Sequence, residues 1–235
     1  MLLLFHQQTQ ILVIMAVKPI TLPKTLTLEP YIDQKQLGDL PENGRHIIGQ
    51  FNDDSIVVYQ AYSPAIATYA VEHQQFGGPN FSFDRMSWIK TSFTWMQYRS
   101  GWNTKPKQER TLAIRIKREA FDHIVSNAVG SRFIEELHGT KENYEKIKKQ
   151  SEIRRQWDPD YVPNLEFKRL ERRAIQLGLR GSILRSYAPE WIVSIEDITP
   201  YVEEMRQRLQ DTKNPIYLWV PVERVYKEEG EIVYK

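Results

Sequence analysis

The segment Ser55-Ile-Val-Val-Tyr-Gln-Ala-Tyr-Ser-Pro64 sets the architecture. Its first eight residues are rich in β-branched and aromatic side chains, the composition of a strand in the middle of a sheet. Ser63 and Pro64 then supply a helix N-cap and a proline at the first helical position, where a missing N–H costs nothing. The spacing predicts a helix from there to about residue 75, and Gly77-Gly-Pro79 breaks the chain after it. Further along, Thr111-Leu-Ala-Ile-Arg-Ile-Lys117 alternates, with Leu112, Ile114 and Ile116 on one face and Ala113, Arg115 and Lys117 on the other. That is the pattern of a second, half-buried strand, and a helix over 119–129 should cover it. Shorter strands are predicted at 153–157, 174–179, 191–195 and 217–220, and helices at 141–149 (behind Thr140 as N-cap), 182–187 and 200–210. This mixed order with short connections points to a single α+β domain, a mixed and largely antiparallel sheet with several covering helices.

Residues 1–46 read as an extended, partly disordered N-terminal extension, and 47–235 as the globular domain. Met1-Leu-Leu-Leu-Phe-His-Gln-Gln-Thr-Gln-Ile-Leu-Val-Ile-Met-Ala-Val17 lacks a basic start, and its longer apolar run is far below the ~20 residues that span a bilayer. No membrane association is expected, and Met15 is an alternative start to Met1. Pro19, Pro23 and Pro30 hold the next stretch extended.

The 235 residues, 41% hydrophobic and 26% charged, have the composition of an ordinary soluble protein, and the net charge of +2 argues against bulk attraction to nucleic acid or membrane. The absence of cysteine excludes disulfides, thiolate metal sites and a cysteine nucleophile, and fits a reducing cytoplasm. His6, His46, His73, His123 and His138 form no ligand spacing, so no metal is expected. Phosphate-loop, dinucleotide-turn, nucleophile-elbow and zincin motifs are missing.

Charge is concentrated locally. Between residues 85 and 119 nine cations face two carboxylates. On a helical wheel, Arg85, Trp88, Ser92, Trp95 and Arg99 share one stripe beside an apolar stripe of Met86, Ile89, Phe93 and Met96, which predicts one continuous aromatic and basic helix ended by Ser100-Gly101. Guanidinium forks suit phosphate, and indoles offer flat faces to a base, so an anionic nucleotide or nucleic-acid ligand is the expected partner. The same tryptophans would equally serve to widen a buried face. The loop Ser100-Gly-Trp-Asn-Thr-Lys-Pro-Lys107, with Trp102 and Lys105, adds donors, and Gly178-Leu-Arg-Gly-Ser182 is a second possible anion cradle. Glu109 and Glu190 border strands where a carboxylate can be fixed and tuned.

Val58-Tyr-Gln-Ala-Tyr-Ser-Pro64, the run from Phe81 to Lys90, Phe93-Thr-Trp-Met-Gln-Tyr-Arg-Ser-Gly-Trp102, Gln108-Glu-Arg-Thr-Leu-Ala-Ile-Arg-Ile116, Gln156-Trp-Asp-Pro159 and Glu190-Trp-Ile-Val-Ser-Ile-Glu-Asp-Ile-Thr199 together resemble the family called domain of unknown function 4291, over about residues 47–202. The resemblance implies a bacterial or fungal cytoplasmic domain and no established activity. More loosely, the chain is similar to the ADP-ribosyltransferase superfamily. That likeness implies NAD as cofactor, with Tyr59 and Gln60 as strand residues at its site, Arg85, Arg99 and Lys105 on the pyrophosphate, Trp88 or Trp95 stacked on a ring, and Glu190 as the catalytic carboxylate. No His-Tyr-Glu or Arg-Ser-Glu pattern stands in register to support it. A non-catalytic single-stranded nucleic-acid module and a protein-interaction domain are the alternative functions.

Overall fold

The computed structural model describes residues 18–31, 40–227 and 229–232. The two alternative starts and the features read in residues 1–17 therefore lie outside the described residues.

The chain forms β1 (Leu28–Pro30), β2 (Ile47–Gly49), β3 (Ser55–Tyr62), α1 (Pro64–His73), β4 (Ser87–Lys90), α2 (Phe93–Ser100), β5 (Arg110–Lys117), α3 (Arg118–Ser126), β6 (Val129–Gly130), α4 (Glu135–His138), α5 (Lys141–Gln150), β7 (Ile153–Tyr161), β8 (Arg169–Leu179), α6 (Gly181–Ser186), a π-helical turn (Tyr187–Trp191), β9 (Ile192–Asp197), α7 (Thr199–Thr212), β10 (Trp219–Pro221) and β11 (Arg224–Lys227). Seven strands make the main sheet in the order β6-β7-β8-β4-β3-β5-β9. All its ladders are antiparallel except β6 with β7. Two small antiparallel pairs, β1 with β10 and β2 with β11, flank it. This is the α+β class with a mixed sheet.

Strand β3 is buried on both faces because the sheet is covered on both. Its alternate residues enter two different cores. Ile56 and Val58 join Leu112, Ile114 and Ile116 of β5, and α1 and α3 cover them through Ala67, Ala70, Phe121 and Ile124. Val57 and Tyr59 face the opposite way with Ala113, and are covered by Phe93 and Met96 of α2 and by Tyr201, Val202 and Met205 of α7. Leu26 and Tyr31 are buried in this second core, so the described part of the N-terminal segment packs as structure ahead of residue 47.

One predicted element is corrected. The stretch 85–99 is a strand followed by a helix, with no continuous helix. Ser87 to Lys90 pair along β8, from Ser87 with Leu179 to Lys90 with Gln176. The Ser92 side chain then accepts a hydrogen bond from Trp95 N and starts α2, which ends where Gly101 adopts φ 62°. Helical spacing across 85–99 was a coincidence of two short elements. What overrides it is a non-local ladder and a serine cap.

Candidate functional site

The sheet opens at its centre. Strands β3 and β4 are matched at a single pair, Tyr59 with Lys90. Beyond it, Gln60-Ala61-Tyr62 on one side and Met86-Ser87-Trp88 on the other line a cleft of about 780 Å³. Parting two strands leaves ladder groups without partners, and burying them costs free energy unless side chains replace the bonds. Gln60 does this. Its Nε2 donates to Ser87 Oγ at 2.8 Å, Tyr62 Oη at 2.9 Å and Trp88 O at 3.2 Å, while its Oε1 accepts from Tyr187 Oη at 2.9 Å. The Tyr62 and Ser87 hydroxyls meet at 2.7 Å. Burial pushes the Tyr62 phenol up to about 12 and that of Tyr187 well above its usual value, so both remain neutral donors.

Lys90 lies at the floor. Only 6% of the residue is exposed; its Nζ donates to Trp88 O at 2.9 Å and lies 5.3 Å from the centroid of the Trp95 ring. Removal from water, and then the charge of Arg99, lower its pKa to about 7, against the opposing pull of Asp158. Asp158 in turn accepts from Gln156 Nε2 at 2.9 Å and Gln176 Nε2 at 2.6 Å, which fixes both amides at the cleft wall.

Arg85, Arg99 and Lys107 form an exposed cationic rim above Lys90. No aspartate or glutamate is among the described lining residues. Glu109 accepts from Lys107 N at 2.8 Å, holding that part of the rim in place. Trp88 and Met86 lie so close over β8 that a Cβ on Gly178 would come within 2.5 Å of Met86 Sδ and 3.0 Å of Trp88 Cζ2. The glycine therefore sets the wall that carries the indole.

Of the residues singled out from sequence, Gln60, Arg85, Trp88 and Arg99 meet in this cleft. Trp95 is buried behind it under Lys90. Tyr59 is buried in the second core, edge-on to Phe93, and Trp102 is buried there as well. Lys105 caps α2, its Nζ donating to Tyr98 O and Arg99 O at 3.0 Å each, and does not line the cleft. Glu190 is exposed on the π-helical turn, away from the lining. The cradle at 178–182 is filled from within: Ser182 N donates to both oxygens of Glu152, at 3.0 and 3.1 Å, and Ile183 N to one of them at 3.3 Å. These bonds, the Ser182 hydroxyl foremost, hold the Glu152 carboxyl below its usual range.

Sequence reading passed over Lys90, Gln156 and Gln176 as site residues, whereas Lys107, in the loop read as supplying donors, does line the cleft. For Lys90 a signal existed: it is the one charged residue between Arg85 and Arg99. A lysine alone in thirteen otherwise uncharged residues is placed where water is scarce.

A family model described as domain of unknown function (DUF4291) matches residues 46–226. The chain belongs to the DUF4291 family. The match spans β3, β4, α2, β7 and β8, so every element that lines the cleft lies inside the DUF4291 region. No curated protein matches the chain. Among the described residues, no group of three or more histidine, cysteine, aspartate or glutamate side chains could hold a metal ion, and no helix is long and apolar enough to cross a membrane.

Proposed function

We propose that this protein is an enzyme acting on a nucleotide-class ligand, bound in the cleft between β3 and β4. The observation that carries the reading is a cleft of about 780 Å³ lined, among the described residues, by four cations and no carboxylate. That volume lies in the range of small-molecule sites, roughly 300–1,000 Å³. Arg85 and Arg99 offer bidentate forks and Lys107 a point charge to phosphate oxygens. The half-buried indole of Trp88 offers a stacking face, and the amides of Gln108, Gln156 and Gln176 offer donors and acceptors to a ring edge or a ribose.

Lys90 gives the reading its chemistry. An amine with a pKa of about 7 is substantially neutral at neutral pH and accepts a proton where an ordinary lysine cannot. It lies below the rim that would hold the phosphates, at the depth where a ring or sugar hydroxyl would rest. NAD belongs to the ligand class through the resemblance to ADP-ribosyltransferases, but this reading assigns Glu190 no role at the cleft.

The test is a thermal-shift panel of the purified protein with NAD, ATP, GTP and a short single-stranded RNA, repeated on Arg99→Ala. A ligand at about 100 times its Kd adds about 2.7 kcal/mol, or roughly 5–10 °C for a chain of this size. A shift of that order with a mononucleotide or dinucleotide, lost in Arg99→Ala, supports the reading. A response to RNA alone, or to none of the four, overturns it.

A further inference from the structure

Among the described residues that line the cleft there is no aspartate, glutamate or histidine, so its chemistry falls to amines, amides and hydroxyls. Of its four cations, Arg85, Arg99 and Lys107 are exposed and Lys90 is buried. Lys90 forms no salt bridge among the described residues. The carboxylate that pulls on it, Asp158, is held instead by the amides of Gln156 and Gln176. The Lys90 amine donates to Trp88 O, the same oxygen that accepts from Gln60 Nε2. That bond uses an N–H and leaves the nitrogen lone pair available to attack. Burial without a counter-ion favours the neutral amine, the form that is a nucleophile.

An aldehyde carbon is the electrophile this amine can take without a carboxylate or histidine beside it, because the protons to be moved are its own. The charge of Arg99 acts on the amine, so the phosphate-binding rim and the nucleophile belong to one site. The amides of Gln108, Gln156 and Gln176 suit the hydroxyls of an opened sugar.

We propose that Lys90 is a covalent nucleophile that forms an imine with the aldehyde of a reducing sugar phosphate, the part of a nucleotide-class ligand that reaches the cleft floor. This rests on the cleft reading only for its phosphate-binding rim. The Nζ lone pair bonds to the aldehyde carbon and the carbonyl π pair moves to oxygen. Both N–H protons then leave with that oxygen as water. Amine and aldehyde thus give imine and water, with no oxidant or reductant consumed. The protonated imine is a cation beside the Trp95 ring, whose centroid lies 5.3 Å from Nζ.

The test incubates the full chain with ribose 5-phosphate and cyanoborohydride at neutral pH and locates adducts by peptide mass spectrometry. Hydride added to the imine carbon fixes the sugar as a secondary amine, heavier than lysine by ribose 5-phosphate less one oxygen atom. The proposal predicts an adduct on Lys90 that forms at least about tenfold faster than on any other lysine, and at least about tenfold faster than with ribose. Arg85→Ala/Arg99→Ala should still be labelled at Lys90 but lose the preference for the phosphorylated sugar. Adducts spread evenly over the lysines, or equal labelling by ribose in the wild type, would overturn the proposal, and the wild-type map requires no variant to fold. The nucleotide panel answers separately. A thermal shift with ATP and no adduct on Lys90 removes the imine and leaves the cleft reading standing, whereas an adduct on Lys90 with no nucleotide shift supports the imine and removes the nucleotide.

Discussion

Lys90 and Trp95 meet across the junction of a strand and a helix, the amine 5.3 Å from the centre of the indole ring. The contact joins the last residue of β4 to the first turn of α2, with Ser92 as the cap between them. An amine held against an aromatic face, donating to Trp88 O and shielded from water, retains a partner in either protonation state. An anion bound beside it would favour its charged form.

Ligand binding should thus be coupled to proton uptake. At pH 8 an amine with a pKa of about 7 is mostly neutral, and an anion nearby favours its charged form. Titrations of a bound nucleotide in buffers of different ionisation enthalpy should show uptake of a fraction of a proton at pH 8, falling towards zero at pH 6. Lys90→Met should abolish the uptake. Buffer-independent heats in the wild type would remove Lys90 from the ligand's reach.

Glu223 should give stability a downward slope with pH. Its enclosed carboxyl accepts from Phe93 N at 2.7 Å, and burial pushes its pKa up to about 8. Between the ordinary carboxyl range and about 8, the folded protein binds a proton that the unfolded chain has lost. Stability attributable to this group falls as pH rises through that window, by at most about 1.4 kcal/mol per unit. Urea unfolding of wild type and Glu223→Gln should give similar stabilities at pH 5 and a more stable variant at pH 8.5. A constant difference across that range would contradict the assignment.

Ser92→Ala should cost about 1–2 kcal/mol. The hydroxyl accepts from Trp95 N at 3.2 Å and donates to Asp160 Oδ1 at 3.1 Å, so the change removes a helix cap and one bond to a buried carboxylate. Arg172 Nε still holds Asp160 at 2.8 Å. The denaturation midpoint should fall with an unchanged denaturant slope.

The strands were legible where their patterns were local. Ser55 to Tyr62, Thr111 to Lys117 and the cap at Thr140 follow from composition, alternation and capping, and the structure has all three, with the second strand starting one residue earlier at Arg110. The stretch 85–99 was misread as one helix because its four-residue strand is specified by β8, some ninety positions away, rather than by its own period. The cleft was half legible for the same reason. Arg85, Trp88 and Arg99 carried their chemistry in their residue type, whereas Gln156 and Gln176 acquire theirs from Asp158 and from a gap between two strands. Tyr59 and Trp102 look like ligand-binding aromatics in one dimension and are core in three.

Gly178→Ala should weaken ligand binding by several-fold while leaving the fold intact. Its methyl would push on the flexible Met86 and on the Trp88 indole, displacing the stacking wall by a few tenths of an ångström. Equal affinity for the nucleotide in this variant would show that Trp88 does not touch the ligand.

The most direct test of the cleft as a phosphate-dependent nucleotide site compares the affinities of ADP and adenosine for the wild type and for Arg85→Ala/Arg99→Ala. The account predicts that the wild type binds ADP at least about tenfold more tightly than adenosine, and that the double variant loses most of that difference while its adenosine affinity changes little. Equal affinities for ADP and adenosine in the wild type, or a preference for ADP that survives loss of both arginines, would contradict it.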